Sequence, residues 1–141
     1  MLRANDARGE LASSLERLGR AVLGHRDASR AARFFDESLR SWVDAQNASG
    51  VATSLEGLAR VADARRRPAI VLRLLAAADT WRRAHGAQRS DADRNVCDRL
   101  IAMARAQLDP SAADAAWSEG ARTPLEETIV CAQELIDSSS P

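Results

Sequence analysis

The chain has 141 residues and a mass of 15.2 kDa, which is the size of a single domain. Its 20 basic residues balance 20 acidic ones, so the net charge gives no reason to expect a nucleic acid or a membrane as partner. The sequence has no apolar stretch near the roughly 20 residues that span a bilayer. A polar run follows Met1–Arg3, where a secretory signal would have its apolar core. These features predict a soluble, single-domain protein of the reducing cytoplasm.

The residue types exclude several kinds of chemistry. All 20 basic residues are arginines, so a Schiff-base lysine and a P-loop lysine are both excluded. Two cysteines and two histidines are too few for a closed four-ligand zinc site, unless all four converge or carboxylates join them. We therefore predict no metal site and no cofactor.

The first half of the chain predicts three amphipathic helices. Apolar residues recur there at steps of three and four, which places each group on one helix face. Asp27 opens the second helix, and the polar run 47–50 separates the second helix from the third. The three apolar groups are Leu11, Leu15, Leu18 and Val22; Ala31, Phe34, Phe35, Leu39, Trp42 and Val43; and Val51, Leu55, Leu58 and Ala62.

The second half predicts four more helices and no strand. Pro68 fits the first turn of a fourth helix, which is apolar around most of its circumference and is predicted to be the most buried element. Gly86 fits the end of this helix. Further helix starts are predicted near Ser90 or Asp91, at Asp109–Pro110 and at the capping-box run Thr123–Glu126.

The sequence contains an internal repeat. Leu15–Ala21 aligns with Leu55–Val61 at an offset of 40 residues, and the same offset places Phe35 over Leu75. Helix pairs with a period of about 34 to 47 residues are typical of α-solenoids. We therefore predict an all-α, right-handed α-α superhelix of about seven helices over residues 10–137, with a disordered or frayed N-terminus over 1–9 and a disordered tail over 138–141.

The first unit resembles the tetratricopeptide repeat. Leu15 takes the place of the consensus tryptophan, and Leu18–Gly19 matches the Leu–Gly pair. Ala31 and Phe35 match the small and aromatic residues of the second helix. A small residue at 19 and at 59 lets the paired helix approach. The departures are Ser38 for alanine, Val43 for proline, and Val71 at the small position of the second unit. The resemblance implies a diverged, TPR-like fold.

A wider resemblance, which covers residues 10–136, rests on the runs 55–59, 74–82, 84–87, 116–120, Thr123 and 125–127. The chain resembles the closing helical segment of large bacterial regulators. These regulators join a signal-transduction ATPase of the STAND type to LuxR-type or related DNA-binding domains and a TPR-like array. The chain has no Walker A loop and no identifiable helix-turn-helix, so the ATPase and promoter-binding activities of the family transfer to no residue here.

The polar residues do not form a catalytic pattern. His25 and His85 lie next to predicted helix ends, where a C-cap role is favoured over a metal or catalytic role. Cys97 and Cys131 lie beside or within apolar stripes and are predicted to be buried thiols rather than a redox pair. Adjacent carboxylates diverge on a helix. We therefore predict that the protein is not an enzyme.

The charges are unevenly distributed along the chain. Residues 60–105 hold 11 arginines and 5 acids, whereas residues 106–141 hold 1 arginine and 7 acids. Three interpretations remain open. The acidic helices pack beside the basic ones, the basic surface binds an acidic protein segment or an anionic ligand, or it contacts nucleic acid.

The prediction for function is non-catalytic recognition of a protein partner or a small effector. First helices line the concave surface of TPR-like arrays, so exposed residues there form the candidate contact set, together with the basic turn. An alternative is an arginine-rich, nucleic-acid-associated protein that uses this turn. Trp42, Trp81 and Trp117 are predicted to pack in the core rather than stack on a ligand. The contact set is Glu16, Arg20, Glu56, Arg60, Asp63, Arg65, Arg66 and Arg67.

The edge formed by the first helix is predicted to expose apolar residues. Each repeat of a solenoid buries its apolar face on its neighbours, and Met1–Gly9 is too short to cover the helix from Leu11 to Val22. Either further repeats precede this edge, or two chains meet there as a homodimer about a two-fold axis.

Overall fold

The computed structural model describes residues 4–137, and seven α-helices account for most of them. No strand is present in this range, in agreement with the all-α prediction. The predicted tail 138–141 lies outside the described residues. The helices are α1 (Ala4–Gly24), α2 (Ala28–Asp44), α3 (Ala48–Ala64), α4 (Pro68–His85), α5 (Asp91–Ala106), α6 (Pro110–Arg122) and α7 (Leu125–Asp137).

Helix α1 begins at Ala4, and residues 1–3 of the segment predicted to be disordered or frayed, 1–9, lie outside the described residues. The described part of this segment contacts the end of α2. A Cβ added at Gly9 would lie 3.5 Å from the Trp42 ring, so the two residues pack closely. Arg8 Nη1 lies 3.5 Å from the carbonyl oxygen of Asp44. The first turns of α1 therefore lie against the end of α2.

The turns between the first four helices share one conformation. Arg26, Gln46 and Arg66 have φ values of 62°, 56° and 57°, and Gly86 follows at 66°, so a left-handed residue recurs every 20 residues. In each turn the next N–H donates to a carbonyl five residues back, for example from Asp27 to Val22 at 2.9 Å. This is the Schellman arrangement that ends a helix. The chain thus reverses direction after each helix in the same way.

Helix starts are mostly where the sequence predicts them. The carboxylate of Asp27 accepts from the N–H of Arg30 at 3.1 Å, and the Ser90 hydroxyl accepts from the N–H of Asp93 at 3.2 Å. Pro68 occupies the first turn of α4. The capping-box run predicts that Thr123 caps the start of α7. Instead, the Thr123 hydroxyl donates to the carbonyl of Glu119 at 2.5 Å. Thr123 therefore closes α6.

The 40-residue repeat is also present in the contacts between helices. Trp42 Nε1 donates to Glu16 Oε1 at 2.6 Å between α2 and α1. Glu56 and Arg82 lie 40 positions after Glu16 and Trp42, and Arg82 Nε donates to Glu56 Oε2 at 2.9 Å between α4 and α3. Equivalent positions are therefore in contact in the two helical hairpins, α1–α2 and α3–α4. The first hairpin uses an indole–carboxylate hydrogen bond, and the second uses an ion pair.

Phe35 fills the space between the two hairpins. It is fully buried, and its ring lies so close to Gly19 of α1 that an added Cβ would be 3.0 Å from it. Gly57 of α3 is closer still to the same ring. Small residues at these two positions let α1 and α3 approach α2, as expected for Gly19 from the repeat spacing.

Helix α3, rather than α4, is the most buried element. Eleven of its 17 residues are buried, against nine of the 18 in α4. Helix α3 contacts α1, α2, α4, α5 and α7, so nearly every face of it is covered. The prediction for α4 was wrong because its C-terminal end, with Thr80, Arg83 and His85, is exposed to solvent.

The last three helices do not continue the hairpin pattern. Helix α5 packs mainly on α4, and α6 packs on α4 rather than on α5. Gly120 of α6 lies directly against the backbone of Arg73 in α4. Helix α7 contacts α2, α3 and α4. Helices α6 and α7 therefore cover the second helices of the two hairpins.

Candidate functional site

A groove opens where the end of α1 and the start of α2 meet α3 and α5. It encloses about 570 Å³ and is called the α3–α5 groove below. Its apolar lining comes mainly from α5, where Leu100 is buried and Met103 is exposed. Its charged lining comes from three arginines and one aspartate. The lining residues are Leu23, Arg26, Ala28, Arg60, Asp63, Ala64, Val96, Arg99, Leu100 and Met103.

The helix positions explain why these side chains converge. Arg60 and Asp63 are three residues apart on α3 and share one helix face, as do Val96 and Arg99 on α5. The left-handed turn at Arg26 brings its side chain to the end of the groove. Helices α3 and α5 contact each other, which sets the width of the groove.

The groove is electropositive. Arg26, Arg60 and Arg99 have no carboxylate within ion-pair distance among the residues that the structure describes, although Asp63 lies in the same lining. Arg60 is half-buried, whereas Arg26 and Arg99 are exposed. Three cations beside apolar side chains favour a ligand that carries both carboxylates and apolar groups.

The basic turn lies at the same end of the molecule. Arg65 Nη2 donates to the hydroxyl of Ser29 at the start of α2, at 2.8 Å, which ties this turn to the neighbouring hairpin. Arg66 is exposed and left-handed, and Arg67 precedes the first turn of α4. The turn residues do not line the groove itself.

Only part of the predicted contact set is brought together. Arg60 and Asp63 line the α3–α5 groove, whereas Glu16, Arg20 and Glu56 do not. Arg20 is exposed on α1, with its Nη2 4.0 Å from Glu16 Oε2.

The expectation that the residues of the contact set are exposed is wrong for Glu56. It is 6% exposed, because Arg82 donates to both of its carboxylate oxygens at 2.9 and 3.0 Å. Arg89 Nε donates to Glu56 Oε2 at 2.6 Å. Arg82 Nη1 also donates to the carbonyl of Gln88 at 3.2 Å, so the cluster fixes the segment that leads into α5. Glu56 therefore has a structural role and is unavailable to a partner.

Glu16 is likewise turned inward. Its carboxylate accepts from Trp42 Nε1 at 2.6 Å and from the Ser54 hydroxyl at 3.4 Å. Burial raises the pKa of Glu16, and the hydrogen bonds and the charge of Arg20 oppose this shift. The repeat supplies the signal that could have identified both inward carboxylates, because Glu16 and Glu56 occupy equivalent positions.

The unequal charge of the two chain segments is partly compensated in the fold. Arg73 of α4 pairs with Glu119 of α6 at 3.3 Å, and Arg105 of α5 pairs with Asp114 of α6 at 2.9 Å. Both pairs are partly exposed, so each contributes about 0–1 kcal/mol. The packing interpretation therefore accounts for Arg73 and Arg105, and it leaves the arginines of the groove uncompensated.

The histidines and cysteines are dispersed. His25 is exposed in a turn, and His85 Nδ1 lies 2.9 Å from the carbonyl oxygen of Trp81, with the two rings stacked 4.1 Å apart. Burial raises the pKa of the Cys97 thiol to about 11, and burial also raises that of Cys131. No three His, Cys, Asp or Glu side chains cluster as metal ligands in the described part of the chain.

A smaller cavity of about 280 Å³ lies between Trp42 and Trp81. Its walls are mostly apolar, and both indole N–H groups bond within the protein: Trp42 to Glu16, and Trp81 to the carbonyl of Ala48 at 2.9 Å. All three tryptophans are half-buried, Trp117 included. The cavity has no unpaired charge to orient a ligand, so the α3–α5 groove is the stronger candidate site.

Comparison with known proteins adds no assignment: no family model, no curated protein and no solved structure matches the chain. Among the helices that the structure describes, none combines the length and the apolar character needed to cross a bilayer.

Proposed function

We propose that this chain is a non-catalytic interaction domain that binds an acidic, amphipathic protein segment in the α3–α5 groove. The observation that carries the proposal is the combination, in one groove, of three arginines without carboxylate partners and an apolar lining that includes exposed Met103. Arginine forks bind carboxylates with defined geometry, and the apolar lining gains from removing side chains from water.

A protein segment fits this groove better than a compact anion does. The volume of about 570 Å³ is within the range of small-ligand sites, so an effector that carries both carboxylates and apolar groups has the same chemistry. The three arginines come from different elements, however, and an extended or helical segment can reach all of them. Leucine side chains of such a segment would cover Val96 and Met103.

The helical arrangement supports a TPR-like description of the first four helices. Two helix pairs share a 40-residue offset, equivalent inter-helix contacts and the same turn conformation. The groove is lined by α1 and α3, the first helices of the two pairs, together with the start of α2 and one face of α5. Helices α6 and α7 depart from that pattern. The resemblance to the closing segment of bacterial STAND regulators leads us to propose a sensor role in the cytoplasm, where Cys97 and Cys131 stay reduced.

The proposal is tested with a fluorescein-labelled helical peptide of about 15 residues that has leucines on one face and glutamates beside them. Fluorescence anisotropy should detect binding, and replacing the glutamates with lysines should abolish it. Arg60→Glu together with Arg99→Glu should weaken binding at least about tenfold, because two attractive contacts become repulsive. Arg94→Glu is the matched control, since Arg94 is exposed on α5 and does not line the groove.

Two results would contradict the proposal. One is equal binding of the acidic and basic peptides; the other is an equal loss in the groove variant and the Arg94 variant. A duplex DNA probe tests the alternative. DNA binding that falls steeply with salt, and that disappears when Arg65–Arg67 are neutralised, would favour the nucleic-acid function instead.

A further inference from the structure

Helix α1 carries an apolar stripe on its outer surface. Leu11 is 54% exposed and Leu18 is 47% exposed, although Leu15 between them is buried. The predicted stripe of four residues is therefore divided, with Leu15 facing the protein and Leu11 and Leu18 facing outward. Exposed or half-buried small residues complete the outer stripe. This stripe, called the α1 seam, is Ala7, Leu11, Ser14, Leu18 and Ala21.

The spacing of the α1 seam fits a partner helix. Its residues follow one another at steps of four, three, four and three, which is the repeat of a two-stranded coiled coil. Large and small residues alternate along it. An alternating seam can pack against a copy of itself when each leucine meets a small residue of the other helix.

The charges beside the seam select one orientation. Glu10 and Arg17 lie seven residues apart on the same exposed flank. The Arg17 guanidinium extends along the seam, with Nη2 3.5 Å from the Ser14 hydroxyl. In an antiparallel pair this flank faces the same flank of the other helix. Glu10 of each chain then lies beside Arg17 of the partner subunit, which gives two ion pairs per dimer. In a parallel pair Glu10 and Arg17 instead face the partner's Leu15 and the partner's Val22, which carry no charge.

We propose that a second copy of this chain packs on the α1 seam, antiparallel, about a two-fold axis that passes between Leu11 and Ser14. Leu11 then packs against Ser14 of the partner subunit, and Leu18 packs against the partner's Ala7. The surface and the charges are self-complementary, as an isologous interface requires. The seam is about 21 Å long, which is short for an obligate interface, so the dimer forms reversibly and depends on concentration.

Sedimentation equilibrium tests the dimer between about 10 µM and about 1 mM, the range in which a weak interface dissociates. A monomer–dimer equilibrium is expected. Leu18→Glu should give a monomer across the whole range. Val130→Glu is the matched control, because Val130 is 60% exposed on α7 and lies outside the seam. Circular dichroism should show equal helix content in both variants. A native chain that stays monomeric at the highest concentration would overturn the proposal.

A charge exchange tests the pairing. Glu10→Arg or Arg17→Glu alone should weaken the dimer at least about threefold, because two ion pairs become like-charge contacts. The double variant should restore the native affinity, because the pairs re-form with reversed sign. Failure of the double variant to recover would contradict the Glu10–Arg17 pairing.

Cross-linking tests the orientation. Ala7→Cys with Leu18→Cys in one chain should give a covalent dimer on oxidation. Neither single variant should, because equivalent residues lie about 16 Å apart in an antiparallel pair. The native chain, oxidised in the same way, is the control for cross-linking through Cys97 or Cys131. A disulfide in either single variant would indicate a parallel pair and overturn the antiparallel arrangement. If the acidic peptide binds but no dimer forms, only the seam proposal fails, since the two surfaces share no residue.

Discussion

At the scale of single residues, the buried carboxylate of Glu56 joins α3, α4 and the segment before α5. It is held by Arg82, which is itself only 6% exposed, and by Arg89 from the segment before α5. Removing the Glu56 carboxylate leaves the buried Arg82 guanidinium without a counter-ion, and that loss exceeds the loss of a surface pair. The cluster thereby controls where α5, and hence one wall of the α3–α5 groove, is placed.

Glu56→Gln should lower the free energy of unfolding by about 3–5 kcal/mol, because Arg82 would then be a buried charge without a counter-ion. Urea denaturation monitored by circular dichroism measures the change. Glu16→Gln is the matched control, since it lies at the equivalent position of the first hairpin and an amide oxygen can still accept from Trp42. Equal losses of unfolding free energy in the two variants would show that the ion pair of Glu56 with Arg82 stabilises the fold no more than the hydrogen bond of Glu16 with Trp42 does.

The raised pKa of Glu16 predicts a pH dependence of stability. Burial raises this pKa above its ordinary 4.5, so the folded protein binds the proton more tightly than the unfolded chain does. The contribution of Glu16 to the free energy of unfolding is therefore present below about pH 4.5 and is lost as the pH rises through the folded pKa. Compared with Glu16→Gln, the native chain should gain free energy of unfolding as the pH falls from about 7 towards about 4.5. A constant difference between the two proteins, or a gain with rising pH, would contradict the inward placement of Glu16.

At the scale of elements, the repeated left-handed turns set where each helix ends. Non-glycine residues tolerate this conformation at a cost of about 1–2 kcal/mol. Gln46→Gly should therefore raise the free energy of unfolding by about 0.5 kcal/mol, after the extra entropy of glycine in the unfolded chain is subtracted.

Ala45→Gly provides the control for this turn. Ala45 has φ −78°, in the right-handed region, so the same exchange there should cost about 0.5–1 kcal/mol. Chemical denaturation of both variants gives the comparison. A loss of stability in both would mean that the left-handed geometry at Gln46 carries no strain.

The docking of α6 on α4 depends on Gly120. A Cβ there would collide with the backbone of Arg73, which cannot move away without shifting α4. Gly120→Ala should therefore cost at least about 2 kcal/mol of unfolding free energy. Gly24→Ala should be neutral or stabilising, because an added Cβ at Gly24 meets nothing within 4 Å. Thermal unfolding distinguishes the two, and an unchanged midpoint for Gly120→Ala would contradict the close α4–α6 contact.

The helices could be predicted from sequence because their signals are local. Apolar spacing, Asp27, Pro68 and Gly86 act within one or two turns of the chain, so all seven helices were identified. The position of α6 and α7 on α2 and α4 depends on contacts between distant segments, such as Gly120 with Arg73, and no local pattern encodes them.

The same distinction applies to the candidate site. Arg60 and Asp63 could be identified because they share a face of a first helix. The burial of the Glu56 side chain could not be identified, because its partners Arg82 and Arg89 are 26 and 33 residues away in the sequence. The contribution of α5 was missed because its groove residues read as an ordinary amphipathic stripe.

At the scale of the whole molecule, the two surfaces that we propose for binding are chemically different and separate. The α3–α5 groove combines arginines with apolar side chains, whereas the α1 seam is apolar with one acid and one base beside it. The acidic C-terminal helices cover α2 and α4, and two ion pairs join them to the basic middle of the chain. Three arginines without an ion pair among the described residues line the groove.

The most direct test of the central claim is an amide chemical-shift map of the chain titrated with the acidic, leucine-bearing peptide. The account predicts saturable shifts concentrated at the groove, at Arg26, Arg60, Val96, Arg99 and Met103, with much smaller ones on α6 and α7. Shifts centred on Arg65–Arg67 alone, or spread evenly over the surface, would contradict it.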